Sequence, residues 1–196
     1  MSTGAADAVA RAIHGRRSIG RVAPDPLPRD LVADLVAAAI AAPNHKNTAP
    51  WRFVALAGDA RREVGAAHAR AVARTRPDHP PAGIEKEAAL LERAPVVIAC
   101  AVADSADPVQ ALEDRDAVAA GVQNLLLLAH ARGLAAIWRT GVMPREAEVL
   151  EALGFTAGEA LVGLVYLGRP LGDPAGGPAP GRPGGDERAG WGGWGA

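Results

Sequence analysis

Apolar residues recur along the chain with two periods, and the changeover between them marks out the elements. Val9 and Ile13, four apart, place a helix over residues 5–15. Leu31, Leu35 and Val36 line one face of a second helix, opened by Pro28 in its favoured first-turn position and stopped by Pro43. Residues 51–57 read as a strand, and residues 61–74, rich in alanine and arginine, as a helix. Residues 83–93 read as a further helix. Residues 95–103 carry the β-branched run of a buried strand. The longest helix covers 110–132, with Val118, Val122, Leu125, Leu126 and Ala129 on one stripe. Glu113, Asp114 and Asp116 lie in its first turns, where carboxylates suit the helix dipole, and Gly133 ends it. A strand over 134–138, a helix over 144–153 and a strand over 160–167 complete an α+β domain whose sheet is wrapped by helices. The long apolar helix reads equally as a core element and as the spine of a dimer.

From Leu171 onward the pattern stops. Glycine and proline dominate, as in Gly176-Gly177-Pro178 and Gly190-Trp191-Gly192-Gly193-Trp194. The expectation is a folded domain over 1–170 and a flexible Gly/Pro-rich tail over 171–196. Two tryptophans in that tail suit docking on a partner subunit as well as an unstructured end.

Composition narrows the function classes. The chain has 196 residues, 49% hydrophobic and 22% charged, so it can bury a core. Basic and acidic residues number 21 and 22, and that balance argues against a nucleic-acid binder. The lone Cys100 excludes an intramolecular disulfide framework and a Cys-rich zinc site, and its apolar surroundings read as buried and inert. No apolar run is long enough to span a bilayer and no secretory signal is visible, so the expectation is a cytoplasmic protein without a membrane partner. Only Lys46 and Lys86 are lysine, so an anion site here would be built from arginine, whose planar fork binds phosphate bidentately. No dinucleotide-binding glycine pattern, P-loop or Gly-x-Ser-x-Gly elbow is present. The five histidines lack ligand spacing, so no metal is expected.

Three polar clusters interrupt the apolar pattern. Arg16-Arg17-Ser18 follows the first helix, where it reads as an anion site or as a basic helix end offsetting the dipole. Ala42-Pro43-Asn44-His45-Lys46-Asn47-Thr48-Ala49-Pro50-Trp51 is a polar loop held between prolines, of the kind that carries function or simply covers a surface. Ile137-Trp138-Arg139-Thr140-Gly141 ends a buried strand, at a sheet edge or an ordinary strand terminus. Together, arginines and hydroxyls suit a phosphate, and Asn, His and Thr suit the edge of a flat heterocycle.

These clusters, with Gly121-Val122-Gln123-Asn124-Leu125-Leu126-Leu127-Leu128-Ala129 and Tyr166-Leu167-Gly168-Arg169-Pro170, resemble in order and spacing the nitroreductase family, in particular its small bacterial members. The resemblance runs from about Ala8 to Pro170. It implies a central mixed, mainly antiparallel sheet flanked by helices in an intertwined homodimer, with FMN bound at the subunit interface. Carried over by position, Arg16, Arg17 and Ser18 would hold the FMN phosphate and ribityl chain, and His45 would reach the flavin from the adjacent subunit. Trp138, Arg139 and Thr140 would line it from the sheet side, and Arg169 would join the phosphate site. Two positions depart from the pattern. Ala49 stands where relatives often have an amide, and Gly20 where many have a lysine near the flavin pyrimidine, with Arg21 offset by one residue.

The resemblance implies an NAD(P)H-dependent FMN oxidoreductase. Hydride would pass from NAD(P)H through FMN N5 to a nitroaromatic, quinone or similar small-molecule acceptor in ping-pong order. No catalytic acid or base is assigned. The alternatives are an FMN enzyme of the same fold acting on a biosynthetic intermediate, and a flavin-binding protein without turnover.

Overall fold

A computed structural model describes residues 3–141, 143, 146–172, 181 and 183–193. The helix expected over 144–153 therefore begins at positions outside the described residues, and positions 173–180, 182 and 194–196 of the tail, Trp194 included, also lie outside them. Helices α1 (Thr3–Gly15) and α2 (Arg29–Ile40) lead into strand β1 (Trp51–Ala57). Helices α3 (Ala60–Thr75) and α4 (Pro81–Ala88) and a 3₁₀ turn at Leu90–Arg93 precede β2 (Val96–Val102). Helix α5 (Pro108–Ala131), strand β3 (Ala135–Arg139), helix α6 (Ala147–Ala152) and strand β4 (Ala160–Gly168) follow.

Most boundaries fall within two or three residues of the pattern-based ones, and local chemistry accounts for them. Asp107 caps α5 by accepting from the Val109 amide at 2.9 Å, with Pro108 at the first helical position. Gly133 ends α5 at φ +71°, a conformation that costs glycine little. The single helix expected over 83–93 is two pieces. Pro81 starts α4 earlier, and the chain leaves helical geometry at Ala89 and tightens into the 3₁₀ turn that buries Leu91.

The sheet has the order β1-β2-β4-β3, and all three pairings are antiparallel. Central β2 is buried on both faces. Val96, Ile98, Cys100 and Val102 pack into one core with α2 and α5, whose stripe Val118, Val122, Leu125, Leu126 and Ala129 is wholly buried. Val97, Ala99 and Ala101 pack into a second core with Val64 of α3, Leu91 and Val149 of α6. Burial pushes the Cys100 thiol up to about 12, which keeps it protonated and inert.

One irregularity positions the site. Cys100 pairs with Gly163 and Ala101 with Leu161, so Val162 is the extra residue of a β-bulge. The bulge resets the alternation of β4, sending Leu164 and Tyr166 to the α3 side and Val165 and Leu167 to the α5 side. Gly163 is required there, because a Cβ would overlap Nε1 of the Trp138 indole.

Candidate functional site

Strand β3 divides the expected ligand-binding residues between two places. Trp138 packs toward the α5 core, whereas Ile137 belongs to the α3 core. Arg139, on the same side as Ile137, lies over the Tyr166 ring at 5.4 Å from guanidinium to ring centre, a cation–π contact. Its Nη2 lies 3.4 Å from where a Cβ on Gly20 would stand. A Cβ at position 20 would stand in ordinary van der Waals contact with the guanidinium, so Arg139 brings a cation beside residue 20, which carries none.

The segment after α1 is stitched to this end of the sheet. The Ile19 amide donates to the Ala136 carbonyl at 3.0 Å, the Ala23 amide to the Arg169 carbonyl at 2.9 Å, and Val22 bridges Pro170. One strip of backbone therefore links Arg16-Arg17-Ser18, Gly20 and the Arg169 turn to the end of β3. Within the strip, Arg17 donates from Nη1 to the carbonyls of His14, at 2.6 Å, and Arg16, at 2.9 Å, closing the carboxyl end of α1. That is the helix-end role the sequence left open beside the anion role. Arg16 is half-buried, and Ser18 and Arg169 are exposed.

Arg139 and Tyr166 line a cavity of about 280 Å³ between the sheet and α3–α4, together with His68, Glu87, Arg93 and Met143. Leu164 and Leu90 make its apolar lining, and Arg76 and Gly141 also border it. Among the described residues, Arg76, Arg93 and Arg139 have no carboxylate partner. Burial raises the Tyr166 hydroxyl above the usual phenol value, opposed by the charges of Arg139 and Arg93. A wall of guanidinium groups over an apolar lining suits a planar, anionic ligand.

Trp138 and Thr140 line a different cavity, about 520 Å³, with Arg115 and Glu159. The Trp138 Nε1 donor is buried there without a hydrogen-bond partner. His45 lies in a third place. Its Nδ1 is 2.8 Å from Glu113 Oε2, in a 520 Å³ hollow between the 44–49 loop and α5. That loop is tied down by Thr48 Oγ1 donating to Asp114 Oδ1 at 2.5 Å and by Asn44 Oδ1 accepting from the Ala49 amide at 3.1 Å. Lys46, Asn47 and Ala49 adopt φ of 59°, 53° and 49°, the left-handed region that side chains other than glycine seldom enter. None of the other expected ligand-binding residues lines the His45 hollow.

Pattern reading missed His68, Glu87, Arg93 and Tyr166. His68 had a signal, since it lies among Ala67, Ala69, Ala71 and Val72 on a helix that buries all of them. A histidine inside such a stripe must find polar partners. Tyr166 was part of a quoted motif but had no reading of its own.

Among the described residues no set of His, Cys, Asp and Glu side chains is placed to hold a metal ion, and no helix is long and apolar enough to cross a membrane.

The chain matches the model of the nitroreductase family over residues 13–169. It is 28% identical over 163 residues to "Putative NAD(P)H nitroreductase YfhC" of Bacillus subtilis (strain 168), covering 81% of this chain and 82% of that one. A solved structure described as a "putative nitroreductase in complex with FMN", from Desulfovibrio desulfuricans, is 29% identical with a TM-score of 0.69, covering 92% and 94%. The fold is also that of a nitroreductase-like protein from Bacillus cereus, 24% identical, with a TM-score of 0.81 and coverage of 93% and 95%.

Proposed function

This chain belongs to the nitroreductase family, and from that premise we propose that it is an FMN-dependent oxidoreductase that takes hydride from NAD(P)H and delivers it to a nitroaromatic, a quinone or a similar acceptor. The observation that carries the proposal is the Arg139 guanidinium, set between Gly20 and Tyr166 at a cavity edge with no carboxylate partner among the described residues. A fixed cation there favours a ligand that gains negative charge on reduction. Bound FMN supplies the two-electron chemistry, accepting hydride from one substrate and passing it to the next.

The residues present fit that group. Arg139, seated over the Tyr166 ring, would hold the ring system of FMN through charge-assisted contacts. Arg16, Ser18 and Arg169, linked to the same sheet end by the backbone strip, would hold the phosphate and ribityl chain. Arg17, whose Nη1 closes the end of α1, would add its remaining donors at the phosphate. Trp138 and Thr140 line the far side of the strand end.

A cavity of about 280 Å³ lies just below the ~300–1,000 Å³ range of small-molecule sites, so one chain offers part of a flavin site. The proposal therefore includes a homodimer, in which His45 of one protomer reaches the flavin bound by its partner. Val9 and Ile13 on α1, Ile40 on α2, and Val109 and Leu112 on α5 are exposed apolar groups that a second chain would cover. The FMN-binding domain spans 1–170, with a tail from 171.

The test is an absorption spectrum of the purified protein before and after anaerobic NADPH, then NADH. Flavin bands that bleach support the proposal, and bands that persist support flavin binding without turnover. Replacing Arg16 and Arg139 together by alanine removes two charge-assisted contacts, ~3 kcal/mol or more, and should weaken FMN binding at least ~100-fold. A double variant that purifies with stoichiometric FMN overturns the assignment.

A further inference from the structure

His68 is buried, its side chain 4% exposed, and both of its ring nitrogens face carboxylates. Nδ1 lies 2.5 Å from Glu146 Oε2, and Nε2 lies 3.1 Å from Glu87 Oε2. Three elements converge to make this cluster. Helix α3 carries His68, α4 carries Glu87, and Glu146 stands at the N-cap position of α6. Gly65, one turn before His68, lets α4 come close, because a Cβ there would overlap the Ala88 carbonyl oxygen. Glu146 occupies an N-cap position without making a capping bond, so its carboxylate serves the histidine and not its own helix.

Proton counting then constrains the cluster. A neutral imidazole has one N–H and one lone pair. With both carboxylates ionised, that lone pair would point at a carboxylate oxygen, two acceptors with no hydrogen between them. The cluster is satisfied only with one more proton, on the imidazole or on a carboxyl. Among the described residues, the other charged and titratable groups at this cavity are Arg76 at the end of α3, Arg93 at the end of the 3₁₀ turn, Arg139 on β3 and Tyr166 on β4. The three guanidinium groups share the cavity that Glu87 borders.

We propose that Glu87, His68 and Glu146 form the proton store of the reaction, an inference that rests on the function proposed above. Glu87, whose side chain is 24% exposed and borders the cavity, is the donor. His68 replenishes it through Nε2, and Glu146 positions His68. The balance is simple. Reduction of a nitro group to nitroso and water, or of a quinone to its diol, takes one hydride and one proton. NAD(P)H provides the hydride and its electron pair, which end on the acceptor, and the nicotinamide leaves oxidised. The proton leaves the cluster, which regains one from solvent after product departs.

The cluster is testable in the holoenzyme with histidine ring nitrogens labelled with ¹⁵N. At pH 7 the expected spectrum shows both His68 nitrogens carrying hydrogen, or one accepting from a carboxyl whose protonated form appears in the infrared. A neutral ring beside two ionised carboxylates overturns the store. Stopped-flow measurement then separates the step with NADPH from the step with a quinone. Glu87→Gln should slow acceptor reduction ~100-fold more than it slows the NADPH step, as removal of a general acid does. It should also abolish the fall of that rate with rising pH. Equal slowing of both steps, or an unchanged pH profile, overturns the donor role. FMN content and bleaching by NADPH, measured in the same samples, report on the underlying function. Their failure is thereby distinguished from failure of the store, and the histidine spectrum decides the proton count in either case.

Discussion

His45 and His68 each hold a glutamate oxygen, at 2.8 and 2.5 Å, yet the two contacts differ in nearly everything else. The His45 side chain is 60% exposed, on a polar loop, with one ring nitrogen engaged among the described residues. His68 is enclosed by three elements with both nitrogens engaged. An exposed pair is screened by water and contributes ~0–1 kcal/mol, whereas removing one member of a buried set leaves charge without a partner. Hydrogen-bond length alone therefore says little about energetic weight. The loop holds its histidine at the surface, available to a second chain. The cavity holds its histidine away from solvent, between two carboxylates.

The sharpest way to break this comparison is substitution of the two histidines in parallel. His68→Leu should cost ~3–5 kcal/mol in chemical denaturation, because Glu87 and Glu146 lose their shared partner. His45→Ala should change stability by less than ~1 kcal/mol. Equal losses would mean that burial does not separate the sites.

The next largest effect concerns how α4 reaches α3. Gly65→Ala places a methyl against the Ala88 backbone and should lower stability by ~1–3 kcal/mol. It should also shift the His68 ring resonances, while those of His45 stay in place. A variant that leaves the His68 signals unmoved would show that the helix approach does not set the cluster.

On the loop side, Ala49 stands at φ 49°. Ala49→Gly relieves that geometry and should raise unfolding free energy modestly, by up to ~1 kcal/mol, with a higher denaturation midpoint, since a side chain in the left-handed region costs ~1–2 kcal/mol and glycine gives part of this back in chain entropy. A lower midpoint would mean that the loop is not strained at this residue.

The smallest effect is a pH dependence. Backbone hydrogen bonding, then the Arg74 side chain, holds the Glu148 carboxyl below its ordinary value of 4.5. Its native state thus favours the ionised form, contributing stability above pH 4.5 that is lost as pH falls through the lowered value. Glu148→Gln should therefore lose less stability between pH 7 and pH 3 than the parent chain. A drop of the same size in both would remove Glu148 from the acid response.

The legible parts of the site were those with local signatures. Arg16-Arg17-Ser18, the proline-bounded loop and the end of β3 could each be picked out, since basic, polar and strand-end runs are contiguous in sequence. The division of Trp138 from Arg139 followed from strand alternation and was available to a reading that applied it. His68 with Glu87 and Glu146 was not legible, because its members are separated by 19 and 78 positions and meet only through helix packing. The 83–93 segment shows the same limit at the level of elements, since its break at Ala89 belongs to a stretch whose packing on α3 cannot be seen in a helical period.

The chain's own pattern determined the α+β class, the buried character of β2, the stripe of α5 and the stop at Gly133. Each depends on side-chain period or on the φ preference of one residue, and both are properties of short segments. The five motifs in order were enough to point to the family. The tertiary structure alone decided that Val162 bulges and turns Tyr166 toward α3, that Arg139 fills the space beside Gly20, and that a buried imidazole meets two carboxylates. These are close approaches between distant segments, set by register and helix packing, and no local period encodes them.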